Sequence, residues 1–292
     1  MAAEALDVSP LPVHRGVEAS QRVPLCLCRQ GQRKRRGRDS RPPRMQSLLH
    51  AAIARGVPLY NAGDAAGCCR LYADAARALL RAPGSEVTEL SSAALEEALA
   101  SLGADAAAGA WALRRAFDDA LADAAFSPRT EAPLPRGFPP PSPVGRVVEK
   151  EYPAFRAARA QGGRAFGPLF GHISRASIPM SAPVLSQLGG PDGASRVDMA
   201  FVYPSPSVPI PAGAQGVDGV EVVDAPSQRV LSVGVRGDAG TRLALARRVL
   251  EARLALGDVQ PVGEWRTCSY NGPMMPRELA YWELQVPIRD RV

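Results

Sequence analysis

A chain of 292 residues, 46% hydrophobic and 22% charged, carries enough apolar surface for a sizeable core, which excludes wholesale disorder. Arginine, aspartate or proline interrupts every alanine-rich run, so no stretch reaches the roughly 18 apolar residues of a membrane-spanning helix, and no transmembrane segment is expected. The net charge of +6 resides wholly in residues 1–44, where nine arginines and Lys34 face Glu4, Asp7, Glu18 and Asp39, while the remainder balances to zero. A neutral body lacks the broad positive footprint that phosphate backbones demand, and no nucleic-acid partner is expected.

Residues 1–44 show no helical or strand period and contain Pro10, Pro12, Pro24, Pro42 and Pro43. They read as a disordered basic leader, Arg-rich as organelle targeting segments are. From Met45 to Phe126 the period becomes 3.6 and alanine, the best helix former, dominates, so residues 45–126 are expected to be an all-helical module. A first helix at about 46–55 should end before Gly56 and Pro58. A second should run from an Asp64 cap to Leu80, a third over about 91–101, and a fourth over 105–125 with Trp111, Leu113, Phe117 and Leu121 inward. Residues 127–143 hold seven prolines, cannot sustain a helix, and read as a stiff, extended linker between domains.

Beyond the linker the pattern turns to short β-rich runs. Strands are expected at Val144–Lys150, Ala154–Ala160, Ile178–Leu185, Arg196–Tyr203, Val220–Val223, Arg229–Arg236, Glu264–Tyr270 and Ala280–Ile288, with helices at about 164–174 and 239–256. Each half thus reads strand, strand, helix, strand, strand. The fold class is α+β: a pseudo-twofold duplicated ββαββ unit closing into a distorted antiparallel β-barrel with two helices, over residues 144–292. Five cysteines are too few and too clustered for a disulfide framework, and His14, His50 and His172 lack the paired spacing of a zinc site, so no metal held directly by protein is expected.

Three strings go further. Glu151-Tyr152-Pro153-Ala154-Phe155-Arg156, Phe166-Gly167-Pro168-Leu169-Phe170-Gly171-His172-Ile173 and Ile178-Pro179-Met180-Ser181-Ala182-Pro183-Val184 resemble the SOUL haem-binding family in order and spacing. Tyr270-Asn271-Gly272-Pro273 and Trp282-Glu283-Leu284-Gln285-Val286-Pro287 fit it as well. The likeness covers about 144–292. The family usually has threonine where Ser181 stands and a longer loop than Arg175-Ala176-Ser177. The resemblance implies the barrel argued above, a shallow apolar surface cleft for haem or another tetrapyrrole, and a carrier, buffer or sensor rather than an enzyme.

A porphyrin needs a flat apolar shelf, cations near its propionates and, if its iron is to be ligated, an axial side chain. At about 100° per residue, Phe166, Leu169, Phe170 and Ile173 cluster and are expected to face the barrel, with Arg164, Pro168, Gly171 and Arg175 on the far side and His172 on the flank toward solvent. In the family the cleft lies between this helix and the loop before the last strand, which here holds Met274, Met275 and Arg277. The expected site is therefore a ring on Pro168 and Gly171, bordered by Met274 and Met275, with Arg164, Arg175 and Arg277 at the propionates and His172 as candidate axial ligand. The alternatives are a small-molecule hydrolase on the same barrel, which needs Glu149, Glu151 and Glu283 to point inward, and a scaffold that docks a protein partner through 45–126. The leader, the resemblance and the cysteine usage favour a chloroplast over the cytoplasm.

Overall fold

Side-chain oxygens set the starts of three of the N-terminal helices. The computed structural model describes residues 44–82, 86–190, 193–212 and 216–291; apart from Arg44, the expected leader lies outside them. Helix α1 spans Arg44–Asn61, α2 Ala65–Arg81, α3 Glu89–Ala100 and α4 Ala106–Ala125. Asp64 caps α2 by accepting from Gly67 N–H at 2.7 Å, Thr88 caps α3 through Ser91 N–H, and Asp105 caps α4 through the amides of Ala107 and Ala108. Leu49, Tyr72, Ala76, Leu113 and Phe117 form the centre of their shared core.

Two details differ from the expectation. Helix α1 runs through Gly56 and Pro58 instead of stopping there. Gly56 serves contact rather than termination: a Cβ at this position would sit 2.2 Å from Cε1 of Tyr72, so only glycine lets α1 approach α2. Trp111 lies 51% exposed, its indole N–H donating to Tyr60 Oη at 2.9 Å, because two residues before Leu113 is about 200° round the helix from the buried side.

The second half builds a ten-stranded antiparallel sheet, curled into a half-barrel. Its strands are β1 (Val147–Tyr152), β2 (Phe155–Gln161), β3 (Val184–Gly189), β4 (Ser195–Arg196), β5 (Asp198–Val202), β6 (Glu221–Ala225), β7 (Gln228–Arg236), β8 (Val259–Pro261), β9 (Arg266–Ser269) and β10 (Tyr281–Asp290). The order is β1-β7-β10-β9-β3-β5-β2-β6, with β4 beside β3 and β8 beside β10. β3 begins only at Val184, not Ile178, since Pro179 and Pro183 have no N–H for a ladder. Helix α6 (Ala239–Leu254) lies on the outer face over Leu231, Val233, Val235, Trp282, Leu284 and Val286; helix α5 (Phe166–Arg175) lies over Ala158, Ala160 and Phe201.

The segment 127–143 does not behave as a spacer. It lines the concave face of the sheet, where Ala132, Leu134 and Phe138 join Phe155, Val202, Cys268 and Tyr281 in one core. Phe138 packs edge-on against both Tyr152 and Phe155, at 4.9 and 5.4 Å between ring centroids. Its polar groups are met by the sheet's loops: Glu131 N–H donates to Tyr270 O, Arg136 N–H to Pro204 O, and Pro133 O accepts from Ala182 N–H. Proline suits this place because a segment rich in it has few amides to satisfy, while its leucine and phenylalanine fill the hollow.

The helices and the sheet also share contacts beyond the connector. Leu90 of α3 belongs to the core under α6. Asp123 of α4 is buried and accepts from Arg236 at 3.0 Å and from both terminal nitrogens of Arg242 at 2.9 and 2.6 Å. Removing one partner of a buried ion network leaves uncompensated charge, at a cost of about 3–5 kcal/mol. Asp123→Ala should lower unfolding stability by that order in urea while the transition stays single by both far-UV and near-UV dichroism; two separated transitions in the parent protein would show that helices and sheet are independent.

Candidate functional site

Helix α5 buries a different arc from the one its composition suggests. Leu169, His172 and Ile173 are buried, whereas Phe166 and Phe170 are 41% and 52% exposed. The expected inward stripe is therefore rotated by about 60° toward His172. His172, expected on the solvent flank, lies inside with Nε2 2.8 Å from Tyr203 Oη, and burial, followed by nearby Arg175, lowers its pKa. The rotation turns the two phenylalanines outward as a pair of nearly parallel rings, 8° apart in plane with centroids at 6.1 Å, and Phe166 rests edge-on against buried Phe201.

The remaining residues expected at the site divide between places. Arg164 and Pro168 border a cavity with Arg159, Asp218 and Glu221 on the far flank of α5. Arg175 is tied to Asp218 at 2.9 Å, and a Cβ on Gly171 would lie 3.3 Å from the Arg175 guanidinium. Met275 and Arg277 line another cavity, together with Arg196, Asp238, Thr267 and Trp282, while Met274 projects into solvent. Arg164 and Pro168 of the helix side and Met275 and Arg277 of the loop before β10 thus line different cavities. On the helices, Val57, Tyr60, Cys68, Tyr72, Trp111 and Arg114 surround an apolar hollow of about 200 Å³.

The concave face holds the densest polar arrangement. Residue alternation aims Lys150 of β1, Ser232 of β7 and both Glu283 and Gln285 of β10 toward the connector. Glu283 is 0% exposed and accepts from Lys150 Nζ at 2.8 and 3.0 Å, Ser142 N–H at 2.6 Å, Ser232 Oγ at 2.9 Å, Gln285 Nε2 at 2.7 Å and Tyr281 Oη at 3.0 Å. Burial alone would raise its pKa, but the Lys150 charge and these hydrogen bonds hold the carboxyl below its ordinary value. Around it, burial pushes Tyr152, Tyr270 and Tyr281 upward and the Cys268 thiol up to about 12. Of the three acids the hydrolase alternative requires, only Glu283 points inward; Glu149 pairs with Arg229 and Arg253 on the outside, and Glu151 is exposed. Both oxygens of Glu283 are engaged by donors of the protein itself. One sequence signal did mark this place: Lys150 is the only lysine outside the leader.

No family model and no curated protein matches this sequence. Among solved structures, the chain is similar to the C-terminal domain of EcmrR, at 12% identity over 50% of this chain and 98% of that one, with a TM-score of 0.42. It is similar to a hydrolase from Listeria innocua at 10% identity over 51% of this chain and 94% of that one, TM-score 0.40. A third is SAV2435 bound to tetraphenylphosphonium, at 10% identity over 49% and 94%, TM-score 0.30.

The buried pair makes a signed prediction. Lys150→Met strands the Glu283 carboxylate and should cost about 3–5 kcal/mol at pH 7. Without the ammonium, desolvation raises the Glu283 pKa above its unfolded value, so protonation relieves the defect as the pH falls. In the parent the pKa is depressed, and its contribution is present above the ordinary glutamate value and lost as pH falls through the lower folded one. Urea unfolding at pH 7 and pH 5 should therefore show the gap between variant and parent narrowing in acid; a constant gap would contradict the assignment.

Proposed function

We propose that residues 144–292 are a SOUL-type barrel that carries haem or a related tetrapyrrole on the outer face of α5. The strand order supports the duplication: exchanging β1 for β6, β2 for β7, β3 for β9 and β5 for β10 reads the path β1-β7-β10-β9-β3-β5-β2-β6 backwards. The carrying observation is the outward pair of parallel phenyl rings at Phe166 and Phe170, an exposed apolar step suited to the face of a planar macrocycle.

The surrounding groups fit such a ligand. Gly171 keeps the helix surface low beside the rings, Arg164 is exposed, and the Arg175 pair with Asp218 is more than half exposed on both sides, so exchanging Asp218 for a propionate forfeits only about 0–1 kcal/mol. His172, engaged with Tyr203 beneath the helix, is not part of this reading, nor are Met274, Met275 and Arg277. When bound, the macrocycle supplies whatever light absorption or redox chemistry follows; the protein's residues hold its face and its carboxylates. Reversible, mainly apolar binding suits a carrier or buffer, and a plastid location belongs to the same proposal. Among the described residues no helix is long and apolar enough to cross a membrane. A second reading, a protein partner on the helices, is favoured by exposed Trp111 at the mouth of its hollow.

Covering the exposed part of each ring, roughly 100 Å² at about 25 cal/mol/Å², is worth on the order of 2 kcal/mol. Titration of the full chain with haemin should shift the Soret band and saturate near one ring per chain, and Phe170→Ala should weaken binding about tenfold or more without changing the dichroism spectrum. No spectral shift at micromolar protein, or equal affinity in Phe170→Ala, would overturn the proposal.

A further inference from the structure

The cavity that holds Met275 and Arg277 has features that the tetrapyrrole reading does not use. It measures about 230 Å³ and lies where the first turn of α6 meets β4, β9 and the loop before β10. Asp238 stands at the N-cap of this 16-residue helix but makes no side-chain cap hydrogen bond, so the leading amides keep their donors, while its carboxylate beside Gly240 offsets part of the positive helix end. Arg196 and Arg277 line the same cavity, and among the described residues neither has a carboxylate within ion-pairing distance. Thr267 forms part of the wall at 2% exposure; among the described residues its hydroxyl has no hydrogen-bond partner, and the oxygen itself is covered by protein.

We infer that this cavity is an oxyanion site for a phosphate group, separate from the α5 shelf. Two guanidinium forks from different elements and a helix N-terminus converge on one small hollow, which is the donor set that a tetrahedral dianion matches and an apolar molecule does not. Trp282 and Met275 supply an apolar part of the wall beside it. Asp238 is the opposing charge in the wall, and it gives the site a variant of opposite sign.

The experiment is calorimetric titration of the full chain with inorganic phosphate and, separately, with phenyl phosphate, against chloride at matched ionic strength. Saturable binding of either phosphate is expected, with Arg277→Ala and Arg196→Ala each weakening it at least fivefold and Asp238→Asn tightening it at least twofold. Equal affinity for the two probes identifies the free ion as ligand; a tighter monoester identifies an esterified phosphate that uses the Trp282 wall. Heats indistinguishable from chloride, or titrations unchanged in both Asp238→Asn and Arg277→Ala, would overturn the inference. Haemin binding at the α5 shelf is independent of either result.

Discussion

A single buried carboxylate organises the concave side of this protein. Glu283 cannot face water and cannot be left alone, and its two oxygens collect one ammonium, one backbone amide and three side-chain donors. One of those donors, the Ser142 amide, belongs to the connector, and the Tyr281 hydroxyl that also reaches Glu283 lies 2.6 Å from Ser142 O. The connector is thereby held in the hollow by the same charge that the hollow must neutralise. Lysine suits this place better than arginine: its compact ammonium reaches both oxygens of one carboxylate on a strand next but one to its own, whereas a guanidinium fork needs more room.

Because the hollow is filled, binding has to occur elsewhere. A curled antiparallel sheet with an open concave face would offer that face first. Here Leu134 and Phe138 occupy it, and Phe138 stands against Tyr152 and Phe155, the aromatic walls a ligand would otherwise meet. Surfaces outside the hollow include α5 with its two phenyl rings, the cavity at the α6 N-terminus with Arg196 and Arg277, and the apolar hollow on the helices. The helices α1–α4 join the sheet through Asp123 and Leu90, so the described residues from Arg44 onward pack as a continuous body.

Much of this was legible in the sequence. Asp64 and Asp105 announced their helices by position and chemistry, and the change from a 3.6 to a 2.0 period near residue 144 announced the sheet. Strand ends were less legible wherever proline removed a ladder donor, as at Pro179 and Pro183, and the two short strands β4 and β8 carry too few residues to show a period. The place of the connector is not legible because composition describes what a segment cannot form; it is silent about what the segment fills. The rotation of α5 escaped for a related reason. A stripe of Phe166, Leu169, Phe170 and Ile173 has an apolar centre, but a buried His172 bonded to Tyr203 shifts the arc, and no periodicity reveals a partner 31 residues away. The cavity at the start of α6 is assembled from β4, α6, β9, β10 and the loop before β10, and has no local signature at all.

The claim on which the rest stands is that the connector is part of the core. Amide hydrogen exchange at Ser142 measures it directly. If its N–H is held by Glu283 inside the hollow, it should exchange as slowly as the amides of β7 and β10, opening only when the whole protein unfolds. Exchange at the rate of an open, proline-rich peptide would contradict the account.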